Sequence, residues 1–299
     1  MIKIDLITGF LGSGKTTFIL KYVKYLMDKG ERVCIVENDY GAVNVDMMLV
    51  GELGCGTEMV AGGCDYDCHL RRYKTKLISI AMRGYTRVIV EPSGVYDTDE
   101  FFDVLYDEPL IDYYEIGNIF CLYDINTKNL SNESEYILVS ESSVASKLII
   151  SKRDNKDIEV DLDYINSLYK KYDCKRILTK KDIMYSDSLD FDKLYSSGYT
   201  QYDHVKMQVI DDNNYDSLYV MNKNLSLDRV LGLRDVLFKD NSYGNILRIK
   251  WFIIEKGNWM KINITKNETE ISNIDDGQDI VIVIGENIKS KEIKDLLEG

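Results

Sequence analysis

One short motif limits the folds open to this chain more than any other feature. Residues 9–16 read Gly-Phe-Leu-Gly-Ser-Gly-Lys-Thr, which fits the pattern G-x4-G-K-[ST] at every required position. An apolar run at residues 2–7 precedes the motif and predicts a strand. Residues 15–28 follow it with apolar positions at helical spacing, which predicts an amphipathic helix ended by Gly30. A strand, a glycine loop and a helix in this order predict a phosphate-binding loop, or P-loop.

The P-loop residues have distinct expected roles. The residues predicted to bind the nucleotide here are Gly9, Gly12, Ser13, Gly14, Lys15, Thr16 and Thr17. The glycines let successive backbone N–H groups point at the phosphates. Lys15 would reach the β- and γ-phosphates, the Thr16 hydroxyl would bind Mg²⁺, and Thr17 would approach the α-phosphate. A P-loop alone does not choose between a kinase, an ATPase and a GTPase.

A second motif follows a predicted strand at residues 87–90. The strand ends in Glu91-Pro92-Ser93-Gly94. An acid and a glycine at this place are typical of a carboxylate on the Mg²⁺ side and of a backbone amide that senses the γ-phosphate. Glu91 and Gly94 are therefore candidate site residues, and an ordinary turn after a strand is the alternative.

A third motif bears on the choice of base. The apolar residues 148–150 lead into Ser151-Lys152-Arg153-Asp154, which has the form S-K-x-D. In the related pattern N-K-x-D, the aspartate accepts hydrogen bonds from N1–H and the 2-amino group of guanine, while the lysine stem covers the ring. Adenine lacks this pair of donors. Lys152 and Asp154 therefore favour GTP over ATP, and Ser151 stands where the usual asparagine would brace the pocket.

The order of apolar runs predicts an α/β protein with two domains. Alternating strands and helices in residues 1–185 indicate a P-loop NTPase fold, a parallel sheet flanked by helices. Residues 176–179 are predicted as the last strand of this domain and residues 186–202 as a polar linker. Residues 203–299 show neighbouring strands without helices between them, which predicts a smaller C-terminal α+β domain that begins with a strand at residues 204–210.

Composition excludes several classes of function. The chain of 299 residues has a formal net charge of −13 and no basic block, so we expect no nucleic-acid partner. No apolar run reaches the ~18 residues needed to span a bilayer, and residues 1–9 do not resemble a signal peptide. Six cysteines without a secretion signal are expected to be reduced thiols, which predicts a cytoplasmic protein without a membrane partner.

Taken together, these motifs resemble those of the CobW-like GTPases, relatives of the urease and hydrogenase nickel-insertion GTPases. Members carry G-F-L-G-[SA]-G-K-T-T, E-N-E-F-G-E-V-G-I-D, E-[TP]-S-G, N-K-x-D and, in a second domain, G-x-[IV]-L-R-x-K. The matching stretches here are residues 9–17, 37–46, 91–94, 151–154 and 244–250. The resemblance implies a Mg²⁺-dependent GTPase that serves as a metallochaperone or cofactor-maturation factor, with a client metalloenzyme or cofactor-assembly protein as its partner.

The resemblance also assigns residues. It implies that Glu37 binds near the nucleotide and that Asp39 takes part in catalysis near Mg²⁺ and the γ-phosphate, together with Lys15, Thr16 and Glu91. Residue 42 is alanine where the family has glutamate, so we expect slow hydrolysis. A polar loop without catalytic duty is the alternative for residues 37–46.

The family's G-C-x-C-C metal motif is altered in this chain. The corresponding stretch contains Cys64, Cys68 and His69, with Tyr66 and Asp67 where the family has cysteines. Two thiolates four residues apart share a face if the segment is helical, and sulfur with a nearby imidazole suits Zn²⁺ or another transition metal. A homodimer could complete the ligand shell. The alternative is a pair of reduced thiols in a loop that contacts a partner protein.

Three uses of the nucleotide cycle remain open from the sequence. The first is delivery of a metal to an enzyme or cofactor. The second is GTP-dependent activation of a metalloenzyme by a protein that carries no metal itself. The third is phosphorylation of a small molecule, which the S-K-x-D motif disfavours.

Overall fold

Two structural units make up the chain. The computed structural model describes residues 1–10, 12–39, 54–61, 66–92, 96, 98–124, 130–151, 158–202, 216–221, 223, 225–266, 269–274 and 279–298. The first unit extends over Met1–Val209 and the second over Ile210–Gly299.

The first unit is built on seven strands: β1 (Ile2–Gly9), β2 (Val33–Asp39), β3 (Gly56–Ala61), β4 (Arg87–Pro92), β5 (Tyr114–Asp124), β6 (Lys147–Ser151) and β7 (Ile183–Tyr185). They pair in the order β3-β2-β4-β1-β5-β6-β7, and every pair is parallel. Because the strands are parallel, all their carboxyl ends lie at one edge of the sheet, with β1 and its glycine loop at the centre. The predicted parallel α/β fold is confirmed.

In the described part of the first unit, the helices beside this sheet are α1 (Lys15–Asp28), α2 (Tyr66–Ala81), α3 (Thr98–Tyr106), α4 (Leu110–Tyr113), α5 (Asn132–Val144), α6 (Ile158–Lys171) and α7 (Phe191–Leu194). They cover both faces. Phe120 and Leu122 of β5 join the core under α1, whereas Cys121 between them lies near Glu141 of α5. Alternate residues of a strand point to opposite faces, so α1 and α5 lie on opposite sides of the sheet.

Helix α1 follows directly from its residue pattern. Phe18, Ile19, Tyr22, Val23 and Leu26 are buried at helical spacing and pack on the sheet. The N–H of Gly30, whose φ is +89°, donates to the carbonyl of Met27, and the helix ends there as predicted. The helix thus holds its first turn firmly against the end of β1.

The described part of the second unit is an antiparallel sheet with two helices. Its strands are β8 (Asp216–Met221), β9 (Asn245–Glu255), β10 (Asn258–Thr265), β11 (Thr269–Ile274) and β12 (Ile280–Glu286), in the order β11-β10-β9-β12-β8. Helices α8 (Leu227–Lys239) and α9 (Ser290–Glu298) contribute Val230, Leu233 and Ile293 to a core shared with Trp251 of β9. The predicted second α+β domain is confirmed as a fold, and the strand predicted at residues 204–210 lies outside the described residues.

Two local predictions in the first unit are wrong. Residues 176–179 form no strand. The Arg176 guanidinium instead fixes this segment at the end of α5, where it donates to the carbonyls of Ser142 in the last turn (2.6 Å) and of Ala145 just after the helix (2.6 Å). The last strand of the sheet is instead β7. Strands β3, β7, β8 and β11 and helices α4, α6 and α7 had no separate prediction.

The second wrong prediction is the linker at residues 186–202. This segment contains α7, and the Leu194 side chain is fully buried in the core under α1. The carbonyl of Tyr195 accepts hydrogen bonds from Asn118 Nδ2 (3.1 Å) and from the guanidinium of Arg87 (3.3 Å). Arg87 is itself buried and makes a two-point ion pair with Asp5. The segment therefore packs on the first unit through long-range contacts.

Within the described residues, no helix is both long and apolar enough to cross a bilayer.

Candidate functional site

The glycine loop has the backbone geometry of a phosphate cradle. Gly9, Gly12 and Gly14 have φ angles of +134°, +80° and +92°, a region that favours glycine. A Cβ atom added at Gly9 would lie 2.3 Å from the carbonyl oxygen of Leu122, so only glycine fits there. Gly14 is the N-cap of α1 and supplies no side-chain cap, which leaves the first N–H groups of the helix for an anion.

Two side chains of the loop point inward. Lys15 is 8% exposed, and its Nζ donates to the carbonyl oxygens of Gly9 (2.6 Å) and Phe10 (3.4 Å). Ser13 is fully buried, and its Oγ has no hydrogen-bond partner among the described residues. Thr16 is half-buried and Thr17 is exposed on the first turn of α1. A buried cation, an orphaned hydroxyl and a helix N-terminus together fit a polyphosphate with its cation.

Two acids lie beside the loop strand. Glu37 of β2 and Glu91 of β4 are register partners, and β4 is the neighbour of β1. Glu37 is 2% exposed and Glu91 is half-buried. Register partners in a sheet project to the same face, so both carboxylates lie on one face of the sheet, near the edge where the glycine loop lies.

The end of β6 brings the predicted base-recognition motif to the same edge. Ser151 is buried, and its Oγ donates to the carbonyl of Tyr123 (3.4 Å). A Cβ atom added at Gly14 would lie 3.9 Å from the Cβ of Ser151. The S-K-x-D motif therefore begins in van der Waals contact distance of the P-loop.

Several predicted site residues cannot be placed. Gly94, Lys152, Asp154 and Cys64 lie outside the described residues, and only the backbone of Asp39 is described, at the end of β2. Their roles stay predictions.

Cys68 and His69 both lie on α2 but in different surroundings. Cys68 is half-buried, while His69 is fully buried and its Nε2 forms a 2.7 Å hydrogen bond with Oδ1 of Asn38. Consecutive residues of a helix point roughly 100° apart. Because Nε2 of His69 is bonded to Asn38, a metal bound by Cys68 could use His69 only through its other ring nitrogen, Nδ1. Asn38, which had no predicted role, directly follows Glu37, so this bond joins the Glu37 end of β2 to the cysteine-bearing helix.

Among the described residues, no group of three or more histidine, cysteine, aspartate or glutamate side chains is arranged to hold a metal ion. Cys34 and Cys121 are fully buried in strands, as expected for core residues. Burial raises the pKa of the Cys34 thiol to about 12 and raises the pKa of Cys121 well above its usual value. Both thiols therefore stay protonated at neutral pH and are poor metal ligands.

The fold and the loop geometry define a P-loop nucleotide-binding protein. The chain belongs to the CobW/HypB/UreG family, whose nucleotide-binding domain matches residues 3–179. The resemblance to the CobW-like GTPases is confirmed.

Two Escherichia coli proteins show the relationship in sequence. The chain is 28% identical to the zinc chaperone YeiR over 154 residues, which cover 49% of this chain and 47% of YeiR. It is 23% identical to the zinc chaperone YjiA over 162 residues, covering 51% and 50% of the two chains. The chain thus matches about half the length of each relative.

Solved structures show more distant likeness. The Zn(II)-bound YjiA GTPase from E. coli aligns with 99% of this chain and 97% of its own, at 16% identity and a TM-score of 0.40. The hydrogenase maturation factor HypB from Archaeoglobus fulgidus aligns with 66% of this chain and 85% of its own, at 16% identity and a TM-score of 0.38.

Proposed function

We propose that this chain is a Mg²⁺-dependent, slowly hydrolysing GTPase that couples its nucleotide state to the handling of a transition metal for a client metalloenzyme or cofactor-assembly protein. The observation that carries the proposal is the Asn38–His69 hydrogen bond of 2.7 Å between two buried side chains. It connects the strand that bears Glu37 with the helix that bears Cys68. A change in the phosphates next to Glu37 therefore has a direct route to the metal loop.

The nucleotide half of the site fits Mg·GTP. The glycine cradle, the buried Lys15 and the orphaned Ser13 hydroxyl would hold the phosphates. Thr16, Asp39 and Glu91 would hold Mg²⁺, which neutralises charge on the β- and γ-phosphate oxygens. The end of β6 would bring Lys152 and Asp154 to the base. Hydrolysis then depends on positioning and charge neutralisation, with water as the acceptor.

The metal half rests on the cysteine loop. Cys68 is the predicted thiolate ligand that lies within the described residues, and it is half-buried at the first turn of α2. Cys64 would supply a second thiolate and Nδ1 of His69 an imidazole nitrogen. Two thiolates and one imidazole suit Zn²⁺. The names of YeiR and YjiA as zinc chaperones support the same cargo. A second copy of the chain would complete a four-ligand shell.

A second function competes with metal delivery. Because Nε2 of His69 is already bonded to Asn38, this ring holds α2 in place whether or not a metal binds. That observation favours a GTP-dependent activator of a metalloenzyme that carries no metal itself. In both functions we propose a cytoplasmic protein.

The test combines hydrolysis with metal analysis. Purified protein should release phosphate from GTP only with Mg²⁺, and it should bind Zn²⁺ under anaerobic conditions. The Cys64→Ser/Cys68→Ser variant should lose the metal and keep nucleotide binding, whereas Cys174→Ser, which removes a buried thiol after α6, should keep both. Hydrolysis without metal binding would favour the activator, and absence of GTP hydrolysis would reject both functions.

A further inference from the structure

Residues 190–200 form a strap across the first unit. The strap begins with the four-residue helix α7 beside α1, and it ends beside α5, where the N–H of Thr200 donates to the carbonyl of Val144 (2.8 Å). Because α1 and α5 lie on opposite sides of the sheet, the strap joins elements of both faces. A helix of one turn is not stable by itself, so the order of α7 depends on the residues that it contacts.

Helix α1 supports the strap through a stack of aromatic rings. The ring of Phe191 in α7 stacks on the rings of Tyr25 and Tyr22, with centroids 5.4 Å and 6.1 Å away. The ring of Phe18 also lies 6.1 Å from it. Aromatic pairs at these distances stabilise by more than the area that they bury. Phe18 is three residues after Lys15, so the stack reaches the turn of α1 that follows the glycine loop.

Polar contacts attach the strap to the other end of α1. Asp192 accepts a hydrogen bond from the Tyr25 hydroxyl (2.7 Å) and forms an ion pair with Nζ of Lys29 (2.9 Å). The hydroxyl of Tyr195 donates to the carboxylate of Glu31 (2.7 Å). Exposed ion pairs contribute little to stability, so the aromatic stack carries more of the attachment than these contacts do.

The same stack continues to the strand beside the glycine loop. Phe18 packs edge-on against Phe120 of β5, with centroids 5.6 Å apart. Two residues further along β5, the carbonyl oxygen of Leu122 lies 2.3 Å from where a Cβ atom of Gly9 would be. Close-packed side chains transmit displacements to their neighbours. Phe191 is therefore connected to the phosphate-binding loop through one continuous series of packed groups.

We propose that the strap positions the P-loop helix α1, with Phe191 as the anchoring side chain, and that nucleotide binding and strap attachment stabilise each other. The nucleotide as the ligand rests on the proposed function. Phosphates bound by the first N–H groups of α1 would hold the helix in the position that the attached strap requires. By linkage, detachment of the strap lowers nucleotide affinity by the same factor by which nucleotide favours attachment.

Amide hydrogen exchange of the wild-type chain measures the attachment. The N–H of Gly198 donates to Oδ1 of Asn118 (2.8 Å), and the N–H of Thr200 donates to the carbonyl of Val144. Both acceptors lie outside the strap, so exchange at these two amides requires the strap to open. Exchange in residues 194–200 should slow by about 5–150-fold when Mg·GDP or a non-hydrolysable GTP analogue is added to nucleotide-free protein.

Variants of Phe191 test whether the strap acts on the nucleotide site. Phe191→Ala should raise the Kd for fluorescently labelled GDP, by at most the factor found from hydrogen exchange. Phe191→Tyr keeps the ring and should bind as the wild type does. In GTP hydrolysis, Phe191→Ala should raise KM and leave kcat nearly unchanged, as expected when the lost interaction affects ground and transition states equally.

The matched control is Tyr113→Ala. Tyr113 is a half-buried aromatic residue in α4, which is also four residues long but does not belong to the strap. This variant should keep the wild-type Kd for GDP and the wild-type exchange of residues 194–200. A raised Kd in Tyr113→Ala equal to that of Phe191→Ala would show that any loss of aromatic packing weakens binding, and would overturn the inference.

The hydrogen-exchange result decides the inference even if Phe191→Ala fails to fold. Unchanged exchange of residues 194–200 in nucleotide-bound wild type would overturn it and leave the proposed function intact. The same holds if Phe191→Ala speeds exchange at Gly198 and Thr200 yet binds GDP as tightly as the wild type. Failure of the wild type to bind any guanine nucleotide would reject the proposed function, and the link between strap and nucleotide with it.

Discussion

Glu37 and Glu91 are register partners on the adjacent parallel strands β2 and β4, close to where both strands end beside the glycine loop. In the sequence, each of these residues is seen only as an acid that follows a run of apolar strand residues, with no sign that the two are neighbours. Their pairing places two carboxylates on one face of the sheet, near the loop where the proposed Mg²⁺ and phosphates would bind.

This pairing predicts a defect in catalysis when one acid is neutralised. Glu91→Gln should lower the rate of GTP hydrolysis by about 10²-fold, the scale of losing one group that stabilises transition-state charge. It should also raise the Mg²⁺ concentration needed for half-maximal activity. Glu115→Gln is the control, because Glu115 is exposed near the amino end of β5. A wild-type rate in Glu91→Gln would remove Glu91 from the site.

Lys15 should be indispensable for hydrolysis. Its Nζ already lies within the loop, 2.6 Å from the carbonyl oxygen of Gly9, and its removal would leave β- and γ-phosphate charge without this cation. We expect Lys15→Ala to abolish measurable phosphate release from GTP. Lys21→Ala, on the exposed side of the same helix, should hydrolyse normally. Retained hydrolysis in Lys15→Ala would contradict the P-loop assignment.

Choice of base should depend on Asp154. The end of β6 approaches the P-loop at Gly14, and Asp154 follows three residues after Ser151. Asp154→Ala should weaken GTP binding by about 1.5–3 kcal/mol for each lost charge-assisted hydrogen bond and leave ATP affinity nearly unchanged. Isothermal titration with both nucleotides measures this. Equal affinity of the wild type for ATP and GTP would show that the motif does not read guanine.

The buried Asp5–Arg87 pair should be important for stability. Both side chains are fully buried, with Arg87 Nε 2.6 Å from Asp5 Oδ2. Arg87→Met should cost about 3–5 kcal/mol, because it leaves a buried carboxylate without its partner. Lys193→Met, in the exposed pair with Asp190, should leave the free energy of unfolding nearly unchanged, because exposed ion pairs are screened by water.

Urea unfolding can show which of the two units loses stability in Arg87→Met. Trp251 and Trp259 are the chain's two tryptophans and lie in the second unit. Their fluorescence therefore reports that unit, while circular dichroism reports both. We expect Arg87→Met to shift the circular dichroism transition to lower urea. A variant as stable as the wild type would show that the pair contributes little.

The sequence predicted those features that depend on local patterns. The P-loop, helix α1 and the strand before Glu91 each have their signal within a few neighbouring residues. Features that depend on distant partners were missed. Residues 186–202 looked like a linker because the contacts of Tyr195 come from Arg87 and Asn118. The buried role of His69 depends on Asn38, which is 31 positions away.

Strand β3 is another element that could not be predicted from the sequence. It contains Gly56 and the charged Glu58, which weaken a strand pattern, and its register against β2 exists only in the folded sheet.

The most direct test of the central claim is calorimetric titration of Zn²⁺ into anaerobic protein loaded either with GDP or with a non-hydrolysable GTP analogue. If nucleotide state and metal are coupled through Asn38 and His69, zinc should bind more tightly to the GTP-analogue form. Zinc should then raise affinity for the analogue relative to GDP by the same factor, within about 5–150-fold. Asn38→Ala should reduce this factor while keeping zinc binding. Equal zinc affinity in both nucleotide states, or absence of zinc binding in either, would contradict the account.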